Sequence, residues 1–448
     1  MHQKARRKKM EKRSSRNQNG PVFRIVRKLI RFFRNYRQWS NKTFIAVLLI
    51  AVAISMALTL LAEGLKGFPL TSSSTTVVSQ TADSKEKTTA TEQETSARIM
   101  ANGDLLYHDI IYISAKKSDG TYDFHENFEY VKPWLKQADL VIGDFEGTVN
   151  KDHYLAGYPL FNAPGEVMDA IKDAGYQVLD LAHNHILDSQ IEGVVSTADA
   201  IEKAGMTPIG VYTHEPRDKA PIVIKEVNGI KVALLAYSYG FNGIEQSISQ
   251  EDYNRYLSDL DEDKMKAEIE RAEKEADITI IMPQMGVEYQ IEPTEEQKKL
   301  YHKMIDWGAD IIFGGHPHVV EPAETVEKNG DKKLIIYSMG NFISNQRIET
   351  MQDVENAKWT ERGVLMDVTI KKKSGKTTIE TAQAHPSWVS RTPKGGYSPE
   401  GYSLYLYQTY ILEDFIEGGK YRSQLDEATK ERIDTAYKEM NEHVGLKW

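Results

Sequence analysis

Between Thr43 and Ala62 the sequence runs for 20 residues, TFIAVLLIAVAISMALTLLA, without a charge. At about 1.5 Å per residue, a helix of that length crosses the roughly 30 Å hydrocarbon core of a bilayer. Lys42 and Glu63 close its two ends. Residues 1–42 hold 15 Lys or Arg against one acid, Glu11, although the whole chain has a net charge of −9. Such a basic flank stays cytoplasmic and sends the following chain outward. A cleaved signal peptide fits poorly, because its apolar region is usually about 7–15 residues long and ends at an A-x-A-like site. The expectation is a single-pass cell-membrane protein with a cytoplasmic N-terminus and an extracellular C-terminal domain. Upstream, Val22, Ile25, Val26, Leu29, Phe33 and Tyr36 recur at helical spacing among arginines. That pattern suits an anionic leaflet, and topology-setting charge explains it equally well. Because the basic segment leads directly into the apolar run, no nucleic-acid partner is expected.

The chain contains no cysteine, which excludes a disulfide framework and a thiolate metal site. Residues 63–97 are rich in Ser and Thr with alternating Lys and Glu, and read as a flexible stalk. From Arg98 onward, short apolar runs alternate with helical segments, an α/β signature. Strands are predicted at Arg98–Ala101, Leu140–Ile142, Val178–Leu181, Ile222–Lys225, Val232–Ala236, Ile278–Met282, Ile311–Phe313 and Leu334–Tyr337. Hairpin turns are expected at Asn228-Gly229 and Ser374-Gly375. Helices are predicted at Asn127–Gln137, Glu166–Ala174, Ile191–Ala204, Asp263–Ala276 and Glu295–Trp307. The folded domain is placed at 98–390, with a C-terminal extension over 391–448 that packs on it and ends in a charged helix near Gln424–Glu442.

Placement of the polar residues carries the functional signal. Asp104 and His108 follow the first predicted strand, and Asp144 and Glu146 the second. His183, Asn184, His185 and Asp188 follow the third. Gln284 and Glu288 follow the Ile278–Met282 strand, His316 and His318 the next, and Asn341 the last. In open α/β sheets, sites gather at the carboxyl ends of strands, so these groups should converge on one rim. Carboxylates, imidazoles and an amide suit divalent ions in mixed oxygen and nitrogen coordination. A bridging carboxylate can hold two such ions about 3.5–4 Å apart over a phosphoryl group.

The ordered segments GDLLYHD, VIGDFEG, GYPLFNAP, LAHNHILD, GVEYQIEPTEEQ, GGHPHVVEP and SMGNFISNQ resemble the CapA/PgsA family of bacterial poly-γ-glutamate capsule synthesis proteins. That family is similar to calcineurin-like metallophosphatases, so the resemblance implies an α/β, two-sheet sandwich flanked by helices. It also implies a membrane-anchored protein of capsule synthesis, a metal-dependent hydrolase or transferase acting on an envelope polymer or phosphoester. Its expected cofactors are divalent metal ions, two in number and drawn from Mn, Zn or Fe. Its expected partners are other subunits of a capsule synthesis or export complex and an anionic envelope polymer. Carried over by residue, Asp104, Glu146, Asn184, His316 and His318 would hold metal, with Glu146 as the bridge. His185 would protonate a leaving group, and His108 would belong to the same catalytic motif as Asp104. Asp144, Gln284, Glu288 and Asn341 would ligate or support, with Asn341 shaping its loop and Glu288 and Tyr289 either fixing theirs or taking part in catalysis.

Two departures stand out. Gln284 occupies a position where the family commonly has histidine, offering an amide oxygen that binds transition ions more weakly. Asp144 replaces an asparagine and adds a carboxylate near Glu146, which could offset the lost imidazole or raise a neighbouring carboxyl pKa. Gln284 therefore keeps open a second reading, a non-catalytic complex subunit with a degenerate metal site.

Overall fold

In a computed structural model of the chain, residues 94–448 are described. The basic segment, the apolar run and the stalk up to residue 93 lie outside them. Among the described residues no helix is long and apolar enough to cross a membrane.

Among the described residues, fourteen strands form two sheets. The first comprises β1 (Glu94–Leu105), β2 (Leu140–Asp144), β3 (Val178–Asp180), β4 (Thr207–Ile209), β11 (Asn341–Ile343), β12 (Arg362–Lys373), β13 (Lys376–Tyr397) and β14 (Ser403–Ile411). Its order is β14-β13-β12-β1-β2-β3-β4, with β11 also paired to β1. The second comprises β5 (Val223–Val227), β6 (Ile230–Ser238), β7 (Ile278–Gln284), β8 (Ile311–Phe313), β9 (Ala323–Lys328) and β10 (Asp331–Ile336), ordered β5-β6-β7-β8-β10-β9. Strands β1, β2 and β3 run parallel, as do β6, β7, β8 and β10, so their carboxyl ends gather at one edge of each sheet.

Side-chain alternation along these strands builds the layers. Ile99, Leu140, Ile142 and Val178 of the first sheet share one buried cluster with Val232, Leu234, Ile280 and Ile336 of the second. The intervening residues face outward. Met100, Val141 and Leu179 pack with α3 (Val167–Ala174) and α4 (Gln190–Lys203), while Ala233, Ile281 and Ile312 pack with α6 (Glu262–Glu275) and α7 (Glu295–Trp307). The result is a two-sheet sandwich flanked by helices. Each fully buried aliphatic side chain contributes roughly 1.5–3 kcal/mol, which makes the inter-sheet layer a rigid frame for its own rim.

Both expected hairpin turns form. Asn228 and Gly229 adopt φ of 51° and 78°, and Ser374 and Gly375 adopt 52° and 82°. These left-handed pairs match the twist of antiparallel strands.

Three expectations need correction. The helix expected over 127–137 is a 3-10 turn at His125–Phe128 and a short α2 at Lys132–Leu135, because Pro133 lacks the N–H needed to continue from the preceding turn. The first strand starts at Glu94, four residues into the expected stalk, since Glu94–Ile99 pair with Lys373–Val368. The boundary at 390 falls inside β13, whose pairing with β14 makes the C-terminal segment part of the eight-stranded sheet. Beyond β14, α8 (Glu427–Val444), capped by Asp426, buries Met440 and Val444 against the inter-sheet core.

Candidate metal centre

The rim is an extension of the inter-sheet face. Asp144 and Asp180 continue the inward parity of Ile142 and Val178, and Gln284 continues that of Ile280 and Met282. Asp104, Asp144 and Asp180 stand in register on three adjacent parallel strands. The β1–β2 register shifts between Asn102 and Asp104, a bulge that re-aims the end of β1. Asp180 was not among the residues expected at the site. Its signal was available, because a carboxylate at an inward position of a buried strand needs a reason to be there.

Asp104, Glu146 and His318 form the centre. One ligand atom from each lies within 4.8 Å of the others. His318 Nδ1 is 2.8 Å from Asp104 Oδ2 and 3.7 Å from Glu146 Oε2. All three are buried. Burial works against charge on His318, yet Glu146 and Asp104 outweigh it and hold the imidazole up at about 10. Burial raises Glu146 to about 7, with His318 opposing and Asp104 reinforcing. Asp144 is raised well above the usual carboxylate range by burial and then by Asp180, Asp104 and Glu146. Asp180 is pushed up to about 8 by burial, against a 2.7 Å hydrogen bond from the Ala182 N–H.

The backbone around this centre is strained and closely fitted. His316 and His318 have φ of 97° and 58°, and Tyr289 has 66°. Non-glycine residues pay about 1–3 kcal/mol for such conformations, which persist where the surroundings enforce them. The Tyr289 N–H donates to Pro317 O at 2.8 Å, and the Tyr289 ring stacks on His318. Asn341 Nδ2 donates to the backbone oxygens of His318 and Thr360, so its amide braces the same loop. Gly315 passes close to the acids, where a Cβ would lie 3.1 Å from Asp144 Oδ2.

Asn184 and His185 approach from the loop after β3. The Asn184 N–H donates to Gln284 Oε1 at 2.8 Å, leaving Gln284 Nε2 buried without a partner. His185 Nδ1 is 2.8 Å from Asp188 Oδ2, which also accepts the Phe161 N–H at 2.6 Å. His183 is fully buried and its Nδ1 accepts the His185 N–H, a loop-fixing role. His316 is buried, its Nδ1 has no partner, and burial lowers it to about 3.

His108 is not one of the three residues of the centre. Its Nδ1 accepts the Asn345 N–H at 3.3 Å, and burial lowers it to about 3. It lines a cleft of about 670 Å³ together with Asn184, His185, Glu288 and Tyr289. Glu288 is exposed at that cleft and is not in the three-residue centre.

The donor set fits divalent cations. Asp104 Oδ1, Asp144 Oδ1, both Glu146 oxygens, Asn184 Oδ1 and His316 Nδ1 are all buried and lack a hydrogen-bond partner. Orphaned acceptors at this density are costly unless a cation satisfies them.

Comparison with known proteins places the chain among relatives by sequence. The family described as bacterial capsule synthesis protein PGA_cap matches residues 98–346. The capsule biosynthesis protein CapA of Bacillus anthracis is 34% identical over 228 residues, covering 49% of this chain and 54% of that protein. The PGA biosynthesis protein CapA of Bacillus subtilis is 32% identical over 223 residues, covering 49% and 57%. The matched region thus spans little more than half the length of these curated relatives. Among solved structures, the calcineurin-like phosphoesterase YfkN of Bacillus subtilis aligns at a TM-score of 0.40 and 16% identity, covering 66% of this chain and 91% of that one.

Proposed function

The chain belongs to the bacterial capsule synthesis protein PGA_cap family, and from that premise we propose that it is a membrane-anchored, metal-dependent hydrolase or transferase acting outside the cytoplasm. Its substrate would be a phosphoester or related ester of an envelope polymer or its precursor, within a capsule synthesis or export assembly. The observation that carries the reading is the set of orphaned buried acceptors around Asp104, Glu146 and His318. The anchor rests on the Thr43–Ala62 run.

Asp104, Glu146, Asn184, His316 and His318 would hold the ions, with Asp144 adding charge beside Glu146. Bound divalent cations supply Lewis acidity toward an ester oxygen and lower the pKa of water. The protein then positions and transfers protons. Asp188 fixes His185 through Nδ1, which leaves the far ring nitrogen to deliver a proton to a leaving group. Burial excludes water from the acids and strengthens each charge interaction there.

One observation favours the non-catalytic reading. Gln284 spends its oxygen on the Asn184 backbone, so the second ion position has an amide where an imidazole would bind more strongly. A phosphodiester turnover assay on the purified, Mn-supplied chain separates the two. Turnover lost in His185→Ala supports catalysis. Absence of turnover, with capsule formation sustained in cells by Asp104→Ala, supports the subunit role and rejects the enzyme.

A further inference from the structure

The cleft beside the metal centre has walls of an unusual kind for a site serving an anionic polymer. Among the described residues no lysine or arginine lines it, and its charged wall residue is Glu288. Away from the metal-binding rim, a polycarboxylate entering here would lose hydration and meet a carboxylate in place of a counter-charge.

Apolar surface and carboxamides line the cleft together. Tyr158, Pro159 and Leu160 come from one loop, and Ile244 and Met351 from others. Tyr158 is 80% exposed and Leu160 48%. Tyr239, which packs 4.4 Å from the His316 ring, and Val287, which precedes Glu288, are exposed nearby. Exposed apolar groups concentrated at one mouth mark a contact surface.

The carboxamides are half committed. Asn345 Oδ1 accepts from the Tyr407 hydroxyl at 2.6 Å, leaving its NH2 for a ligand. Gln346 Oε1 accepts from Asn341 Nδ2 at 3.0 Å, and its Nε2 reaches only the Tyr289 hydroxyl at 3.4 Å. Glu288 adds an acceptor. Aromatic faces with separated donors and an acceptor match a ring bearing both C–H faces and hydroxyls. An acyl chain would leave the donors unpaired.

We propose that this cleft is a subsite for a neutral, polyhydroxylated, sugar-like group carried on the reacting ester, rather than for a run of carboxylates. The proposal rests on the reading that the adjoining rim holds the reacting group.

Its test uses the full chain in detergent and two probes without phosphate, a neutral trisaccharide and a γ-linked glutamate oligomer. Saturation-transfer NMR is recorded with metal-loaded and metal-free protein, and metal content is measured on the same samples. The expected result is saturable trisaccharide binding in both states, weakened about tenfold by Tyr158→Ser or Asn345→Ala, with no binding of the oligomer. Tyr158 is exposed enough for its replacement to leave folding intact. Oligomer binding that the same substitutions weaken, absent trisaccharide binding, or trisaccharide binding indifferent to both substitutions would each overturn the proposal. Sugar binding in protein that takes up no metal would sink the metal-centre reading alone.

Discussion

At the scale of single residues, the site depends on side chains whose partners leave one functional atom free. Asp188 shows this best: it accepts from the Phe161 backbone and holds His185 Nδ1 at 2.8 Å. Asp188→Asn should lower turnover on the order of 10²-fold, the usual worth of a positioned proton donor, with KM and metal content unchanged. A fall in metal content instead would move Asp188 into the metal centre. Gln284 offers the complementary case, since its oxygen already serves the Asn184 N–H. Gln284→His should raise bound metal by one equivalent, read by elemental analysis, and unchanged stoichiometry would show that the second position does not depend on this side chain. Most of these residues were legible because each follows an apolar run. Asp180 sits inside its run, in the string VLDLA, so its inward parity along β3 is its signal and position after a run is not.

Elements were readable to the extent that one period dominated them. Strands β6, β7 and β8 are short, apolar and bounded by turn residues, and they form where expected. The short strands β4 and β11 owe their pairing to neighbours, Thr207–Ile209 to β3 and Asn341–Ile343 to β1, so no local pattern announces them. Strand β14 lay hidden in a tyrosine-rich stretch, and its partner β13 extends to 22 residues because its first half pairs with β12 and its second with β14. Where β13 crosses β12, His385 sits between Asp367 and Glu413. Burial opposes its charge, yet the two carboxylates outweigh it and raise the imidazole to about 9. An unfolded histidine titrates near about 6.5, so this contribution to stability is complete below that pH and is lost as pH climbs through about 9. Denaturant midpoints should therefore fall between those pH values, and His385→Gln should flatten that limb. An identical slope in the variant would assign the alkaline loss to other groups.

For the whole molecule, the sandwich explains why distant segments meet: parallel strands of two sheets end at one rim, and their polar residues follow them there. The family match over 98–346 covers the segments that supply that rim. The three-residue centre, its strained histidine loop and its unpartnered acceptors are properties of the assembled fold, which spacing could only suggest. A cation bound there should stabilise the folded chain by about 2.7 kcal/mol at a hundredfold excess over its Kd. The most direct measurement is metal stoichiometry of the purified full chain after Mn loading and desalting, on wild type and Glu146→Ala. A metal centre built on Asp104, Glu146 and His318 predicts at least one equivalent in the wild type and its loss in the variant, with thermal stabilisation by Mn confined to the wild type. A wild-type chain without retained metal, or a Glu146→Ala chain that holds as much, would contradict it.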